Sequence, residues 1–390
     1  MAGNEEKKES KKIAIVTPYA VPEKGACSLR ISSFKNFLEE EGFLVRIFAP
    51  ERKPGQEMPG FTRYKGFGNL IRSISKEKPD LAIGTSPPMT HSFVALLFCK
   101  LSGIPFILDL RDPWTHAYGN MGVYKKSSPK LFVYRLIEKL SYLLADRIFV
   151  VTKNTGEIAE KSWANPSKTR LVENGTDVSL FSYNSKERLS IRKKLGLGEK
   201  DALGIYAGSF ALRGVENVLE ALAPLLREGK LKLLLVVPKE SDSNGGFSQL
   251  SGIVKKEHIE ENVFFVDSSE KGIGFEELYK YFSAADFGID VLPLNLGYCI
   301  PVKTYDYLAC GLPVIAYGPK EGALKDLFGE FNIGFYSSSL EGFKENIARA
   351  ISDADSLRER KPFLADLAKK RFDRKFANRK ALDEIMGLIK

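Results

Sequence analysis

The stretch Cys299-Ile-Pro-Val-Lys-Thr-Tyr-Asp-Tyr-Leu-Ala-Cys-Gly-Leu-Pro-Val-Ile-Ala316 contains a helix, its stop and the start of the next strand. Pro301 suits the first helical position, where a fixed φ helps and a missing N–H costs nothing. Gly311 and Pro313 suit the C-terminal stop, and Val314 to Tyr317 reads as a short buried strand. Val302, Tyr305, Leu308 and Ala309 fall on one helical face, while Lys303 and Asp306, three residues apart, share another. A cation in the first turn opposes the helix dipole, so Lys303 is best explained by an anion held at that N-terminus.

Outward from this stretch the same grammar repeats. Strands are expected at Leu203 to Ala207, Leu231 to Val236, Val263 to Val266, Phe287 to Leu292 and Gly334 to Tyr336, with helical patterns between them. Upstream, strands at Ile13 to Val16, Val45 to Ala49, Asp80 to Gly84, Phe106 to Leu110, Arg147 to Val151 and Thr169 to Val172 form a second series. Its first helix opens at an N-cap on Ser28. Strands alternating with helices mean an α/β fold with two doubly wound parallel sheets. A chain of 390 residues exceeds one ordinary core. The expected division is a tail over 1–12, an N-terminal domain over 13–185, a C-terminal domain over 186–370, and a helix over 371–390 crossing back to the N-terminal domain. Ser182 to Lys200, charged and polar with only a short helical pattern around Arg188 to Leu195, reads as the connection between domains.

The formal charge of +9 is uneven: residues 1–180 carry 27 Lys and Arg against 19 Asp and Glu, residues 181–390 carry 31 against 30. A basic first half fits an acidic substrate or an anionic surface. The basic residues are dispersed, without an RNP-like aromatic pattern, which argues against nucleic acid. Four scattered cysteines and three unpaired histidines predict reduced thiols and no metal or cofactor site. The N-terminus has no apolar signal core and no run is long enough to span a bilayer, so the expectation is a cytoplasmic protein. The region 125–145 alternates Leu and Phe with Lys125, Lys126, Lys130, Arg135 and Lys139. Packing on its own sheet is the simpler reading, and a peripheral contact with a membrane face the alternative.

Candidate chemistry gathers where parallel sheets present ligands, at the C-terminal ends of strands. Tyr206-Ala-Gly-Ser-Phe-Ala-Leu-Arg-Gly214 leads from a strand into a helix. Gly208, Ser209 and Gly214 offer backbone N–H groups to a phosphate, and Arg213 can add a bidentate contact. Lys303 would face it across a diphosphate, with Asp306 one turn deeper accepting from two vicinal hydroxyls. In the first half, Gly25 and Arg30 sit at the first helix, Ser86 and His91 follow one strand, and Arg111, Asp112, Trp114 and His116 follow another. Loops that deliver such side chains to a sheet edge commonly handle ligands.

These residues resemble retaining glycosyltransferase family 4, whose members have the two-domain GT-B fold, in its bacterial polysaccharide-biosynthesis branch. Pro301-Val-Lys303, Asp306-Tyr307, Ala309, Gly311 and Pro313-Val314 look like its donor-site signature. Gly208 with Arg213-Gly214 looks like its phosphate turn, Leu171-Val-Glu-Asn-Gly-Thr-Asp177 with Phe181 like its domain-closing segment, and Ser86-Pro87-Pro88 and Arg111-Asp112-Pro113-Trp114 like motifs of that branch. The sequence departs from the pattern at Tyr298 and Asp306, where glutamates are usual, and at Ser209 and Arg213, where arginine and lysine are common.

The resemblance implies two Rossmann-like domains facing a cleft. It also implies transfer of a sugar from a nucleoside-diphosphate sugar to a glycan or lipid-linked acceptor, with retention and without a metal. It casts Arg213, Lys303, Asp112 and His116 in catalytic roles. Gly208, Ser209, Gly214, Asp267, Gly297, Tyr298, Cys299, Ile300 and Asp306 would bind the donor, and Gly25, Arg30, Ser86, His91, Arg111 and Trp114 would lie on the acceptor side. A sugar-nucleotide epimerase or hydrolase of the same fold, and a catalytically degenerate sugar-nucleotide binder, are the competing readings.

Overall fold

The computed structural model describes residues 10–23, 25–52, 58–120, 127–209, 214–239, 246–269 and 271–389. The chain forms two compact units, Met1–Glu173 with Ala377–Lys390, and Asn174–Phe376. Among the described residues, each unit contains one parallel sheet.

In the first unit the strands are β1 (Lys12–Val16), β2 (Leu44–Pro50), β3 (Phe61–Tyr64), β4 (Leu81–Ser86), β5 (Phe106–Leu110), β6 (Arg147–Val150) and β7 (Thr169–Leu171), in the order β3-β2-β1-β4-β5-β6-β7. Their near-continuous apolar runs follow from burial on both faces, as in the fully buried β4 and β5. β3 and the helix Gly66–Glu77 behind it gave no sequence signal. The strand is a four-residue edge strand with Thr62 and Arg63 at its centre, and the helix opens with Gly66 and Gly68, which read as breakers. The first helix, Ala26–Glu40, is capped by Gly25 at φ +147°, not by Ser28, which is buried inside the first turn.

The C-terminal helix Arg374–Met386 completes this unit's core. Ala377, Ala381, Leu382 and Ile385 cluster with Ile13, Ile15, Ile31 and Phe34. Its Glu384 accepts from Arg147 Nε at 2.7 Å and Arg170 Nε at 2.6 Å.

The second unit holds β8 (Leu203–Ala207), β9 (Lys232–Val237), β10 (Val263–Asp267), β11 (Phe287–Val291), β12 (Val314–Tyr317) and β13 (Gly334–Ser337), in the order β10-β9-β8-β11-β12-β13. Its boundary falls after Glu173, not at 185. Thr176 bridges to Asp373, and Phe181 packs on Phe275 and Phe282 with ring centroids 5.1 and 5.7 Å apart, so this stretch is anchored within the second unit. The short helical pattern within 182–200 is a packed element of the second unit rather than part of a connection. The helix Ser185–Lys194 buries Arg188 and Arg192 against Asp286, with Arg188 Nη2 at 2.9 Å from Oδ1 and Arg192 Nη1 at 3.4 Å from Oδ2. Charged composition concealed what holds this element, buried ion pairs whose partner Asp286 lies 98 and 94 positions downstream.

The stretch that opens the sequence reading folds as the helix Val302–Ala309 followed by β12. Pro301 is its N-cap, one position before the expected site, with its carbonyl accepting from Thr304 N at 3.0 Å. Gly311 adopts φ +71°, and Leu312 N returns to Tyr307 O at 2.9 Å, which closes the C-terminus. Thr304 through Ala309 are all buried, so the helix is enclosed nearly all round rather than along one stripe.

Candidate functional site

The second sheet reverses strand order between β8 and β11, and there its ladder is shortest. β8 and β11 pair only through Phe287↔Gly204 and Gly288↔Ile205, whereas β8 and β9 pair at five positions. The Tyr307 hydroxyl fills the gap, accepting from Ala207 N at 3.0 Å and donating to Ile205 O at 3.3 Å. Gly288 makes this possible, since a Cβ there would lie 2.3 Å from the Tyr307 ring. A splayed pair at the reversal of strand order is where open α/β sheets place ligands.

Four side chains and one turn meet at this junction. Lys303 Nζ lies 3.5 Å from the Tyr206 ring centroid and 3.5 Å from Asp290 Oδ1. The Tyr206 hydroxyl donates to Ser209 O at 2.5 Å, so the residue that carries the lysine on its ring also fixes the turn after β8. Thr304 donates its hydroxyl to the fully buried Asp290. Gly208 turns at φ +124° with nothing within 4 Å of its missing side chain, and Gly214 caps the helix Val215–Arg227 at φ 74°. Arg213 lies outside the described residues. Lys303, Gly208 and Ser209 are therefore brought together through Tyr206. Sequence reading missed Asp290 and Tyr206; the available signal was a carboxylate inside the apolar run Phe287-Gly-Ile-Asp-Val-Leu292.

Asp306 departs from expectation. It does not share a surface with Lys303: it is buried, and its Oδ1 accepts from the Thr176 hydroxyl at 2.6 Å. Burial pushes its carboxyl up to about 7, opposed by the Thr176 hydrogen bond and the Arg374 charge and assisted by Asp177 and Asp290. So enclosed a group does not present two oxygens to a ribose. It ties the helix to the start of the second unit, where Arg374 Nε also holds Asn174 O at 3.1 Å.

The other expected donor residues are spread along the strand ends. Gly297 and Gly322 approach so closely that a Cβ on either would lie 2.8 or 2.1 Å from a backbone oxygen, and Ala323 N donates to Gly297 O at 2.8 Å. The loop is thus fastened to the helix Ala323–Phe331. Tyr298 is buried rather than covering a ligand, Cys299 Sγ lies 3.4 Å from Leu296 O, and Ile300 is half-buried. Asp267 ends β10 and accepts from Lys239 N at 3.1 Å and Ser269 N at 2.9 Å, capping its own loop.

In the first unit, Arg30 is no ligand-edge residue. It is buried, with Nε 3.0 Å from Asp109 Oδ2, Nη2 2.8 Å from Asp109 Oδ1 and Nη1 3.0 Å from Glu173 O. Trp114 is likewise core, its ring tilted 35° against Tyr134 with centroids 4.3 Å apart, and the helix it begins is held by Glu138, which accepts from Thr115 N at 3.3 Å and the Thr115 hydroxyl as well as from Tyr142 OH at 2.9 Å. Burial raises the Glu138 carboxyl, against donors from Thr115 and Tyr142.

Ser86 Oγ and Arg111 Nε are buried without hydrogen-bond partners, while Arg111 Nη2 reaches Pro87 O at 3.2 Å. His91 Nδ1 is 2.6 Å from Tyr64 OH; burial, then the Arg52 charge, lower its basicity. Asp112 is half-buried and His116 exposed. Arg63, another residue that the sequence did not flag, donates to Ala20 O at 3.3 Å and Val21 O at 2.7 Å and pairs with Glu23, shaping the loop after β1. The helix Pro129–Leu144 packs Leu131, Ser141 and Tyr142 inward yet exposes Phe132, Val133, Leu136 and Leu143. Beside them Lys139 Nζ sits 3.5 Å over the exposed Trp163 ring. Lys125 and Lys126 lie outside the described residues.

Residues 31–180 match the family described as Glycosyltransferase Family 4, and residues 202–353 the family described as Glycosyl transferases group 1. An uncharacterized glycosyltransferase of Methanocaldococcus jannaschii is 20% identical over 367 residues, covering 88% of this chain and 90% of that protein. Among solved structures, the sucrose-phosphate synthase of Thermosynechococcus elongatus superposes with a TM-score of 0.79 at 18% identity, covering 97% of this chain and 99% of that one. Anabaena HepE in complex with UDP-glucose gives 0.77 at 14% identity, covering 96% and 99%.

Proposed function

Since the chain belongs to the GT-B glycosyltransferases of the family 4 type, we propose that it moves a sugar, with retention at the anomeric carbon, from a nucleoside-diphosphate sugar to a cell-envelope glycan or lipid-linked acceptor. The observation that carries this reading is Lys303, set over Tyr206 beside the Gly208–Ser209 turn at the β8/β11 reversal. Departure of a diphosphate leaves an oxocarbenium-like sugar, and a fixed cation beside the leaving phosphates lowers that barrier in place of a divalent ion. Lys303, Arg213 and the N–H groups near Gly214 supply the positive field, so turnover should survive a chelator. Anabaena HepE was solved with UDP-glucose and with UDP, which makes a UDP-sugar the first donor to test.

Acceptor contacts fall to the β1/β4 edge of the first unit. Ser86, His91 and Arg111 line that chemistry, and Asp112 and His116 handle the acceptor hydroxyl. The exposed face of Phe132, Val133, Leu136 and Leu143, with Lys139 and Lys130 beside it, suits the surface of an anionic bilayer, where a lipid-linked acceptor would be met. Among the described residues no helix is long and apolar enough to cross a membrane, so the contact is peripheral. Co-sedimentation with anionic vesicles, reversed by high salt, is the expected result; equal recovery with neutral vesicles would remove the electrostatic contact.

The deciding experiment is a thermal-shift screen with UDP-, GDP- and ADP-sugars. A true donor at 100 times its Kd stabilises by roughly 2.7 kcal/mol. Anomeric analysis of the product by NMR then settles retention, and no shift with any sugar nucleotide would sink the proposal.

A further inference from the structure

A carboxylate buried within a parallel strand is costly unless a cation compensates it. Asp290 is fully buried in β11, where its neighbours Ile289 and Val291 are core, yet it sits 3.5 Å from Lys303 Nζ and accepts the Thr304 hydroxyl. Lys303 in turn occupies the first turn of the helix Val302–Ala309, where the dipole disfavours a cation. Each group therefore explains the other. The anion that the sequence demanded near Lys303 is supplied by the chain itself.

The pair is not a tight one. Strong ammonium–carboxylate hydrogen bonds run at about 2.7–2.9 Å, and 3.5 Å is longer. Lys303 is shared between the carboxylate and the Tyr206 ring face, a partner that attracts a cation without replacing its hydrogen bonds. A lysine so held is charged and positioned, and it can turn toward an arriving anion with little rearrangement.

We propose that Asp290 is an internal stand-in for the donor's diphosphate. It positions Lys303 when the site is empty and competes with the diphosphate for the ammonium when the site is filled, so that the nucleoside diphosphate product can leave. Asp290 acts through Lys303 and touches no substrate. The inference rests on the reading of Lys303 as the diphosphate's partner.

The test is calorimetric titration of UDP, GDP and ADP into wild type, taking the tightest binder forward into Asp290→Asn, Lys303→Met and the double variant. Asp290→Asn keeps the shape and removes the charge. It should bind the nucleoside diphosphate roughly ten-fold more tightly, the scale of a close charge coupling. KM for the sugar nucleotide and kcat should fall together, as expected when release of product becomes slower. In the Lys303→Met background the same change should have a much smaller effect.

A purely structural role predicts weaker binding and a raised KM, and a folded Asp290→Asn protein with unchanged or weaker binding would overturn the proposal. Should Asp290→Asn fail to fold, Thr304→Val carries the test. Removing the hydroxyl leaves the carboxylate more available to Lys303, so nucleoside diphosphate binding should weaken a few-fold, and unchanged binding would overturn the idea. If Lys303→Met alone leaves wild-type affinity and turnover, the underlying assignment of Lys303 fails instead.

Discussion

The two sheets reverse strand order between β1 and β4 in one unit and between β8 and β11 in the other, and they fill the reversal with different chemistry. β1 and β4 stay paired at four positions, and the junction is topped by neutral hydroxyls, with Thr85 Oγ1 donating to Thr17 Oγ1 at 3.0 Å. β8 and β11 part after two pairs, and the gap receives a tyrosine hydroxyl, an ammonium and a carboxylate. Charge is concentrated where a charged leaving group would depart. Hydroxyls, among them the unsatisfied Ser86 Oγ, stand at the edge proposed for a neutral acceptor hydroxyl.

The sharpest way to break this contrast is Lys303→Ala. Loss of one positioned transition-state contact typically costs about 10²- to 10³-fold in turnover, so kcat/KM for sugar transfer should fall by at least that lower figure. Thr17→Val at the other junction should leave donor affinity untouched. Wild-type turnover in Lys303→Ala would take the charge out of the mechanism.

Asp306 gives the next largest effect, on stability rather than rate. Its folded carboxyl is raised to about 7 from an ordinary value near 4. The stability it contributes is therefore present below the unfolded value and lost as pH rises through the folded one. Asp306→Asn keeps an acceptor for Thr176 and cannot ionise, so its unfolding free energy should be flatter with pH. Between pH 5 and pH 8 the wild type should lose on the order of 2–3 kcal/mol relative to the variant in denaturant titrations. Parallel curves would mean that Asp306 is ionised throughout.

Much of the fold was legible because its signals are local. Apolar runs of strand length marked nearly every strand to within two residues, and the Gly311–Pro313 stop fixed the end of the Val302–Ala309 helix. β3 was not legible because an edge strand with polar centre lacks that pattern. In the site, Lys303 and the Gly208 turn stood out because a cation and a glycine were placed against local preference. Asp290 hid inside a strand, and its meaning depends on a helix that arrives a dozen residues later. Arg30 misled for the converse reason. An arginine in a first turn beside a loop looks available, and only the buried Asp109, brought in from β5, shows where its guanidinium is committed.

A finer comparison swaps the groups that close the two junctions. Tyr307→Phe deletes the hydroxyl that serves Ala207 N and Ile205 O, leaving a buried N–H unanswered, and such an orphan costs about 1–3 kcal/mol. Thr85→Val deletes a donor whose acceptor, Thr17 Oγ1, still donates to Tyr19 O at 2.9 Å, so about 1 kcal/mol or less should be lost. The two variants should also separate in function. Ala207 leads directly into Gly208, and loosening it should raise the donor Kd, whereas Thr85 borders no donor residue and should leave that Kd alone. Equal stability losses, or a donor Kd that moves equally in both variants, would mean that the β8/β11 gap is held by the sheet around it and that Tyr307 fills it without shaping the phosphate turn.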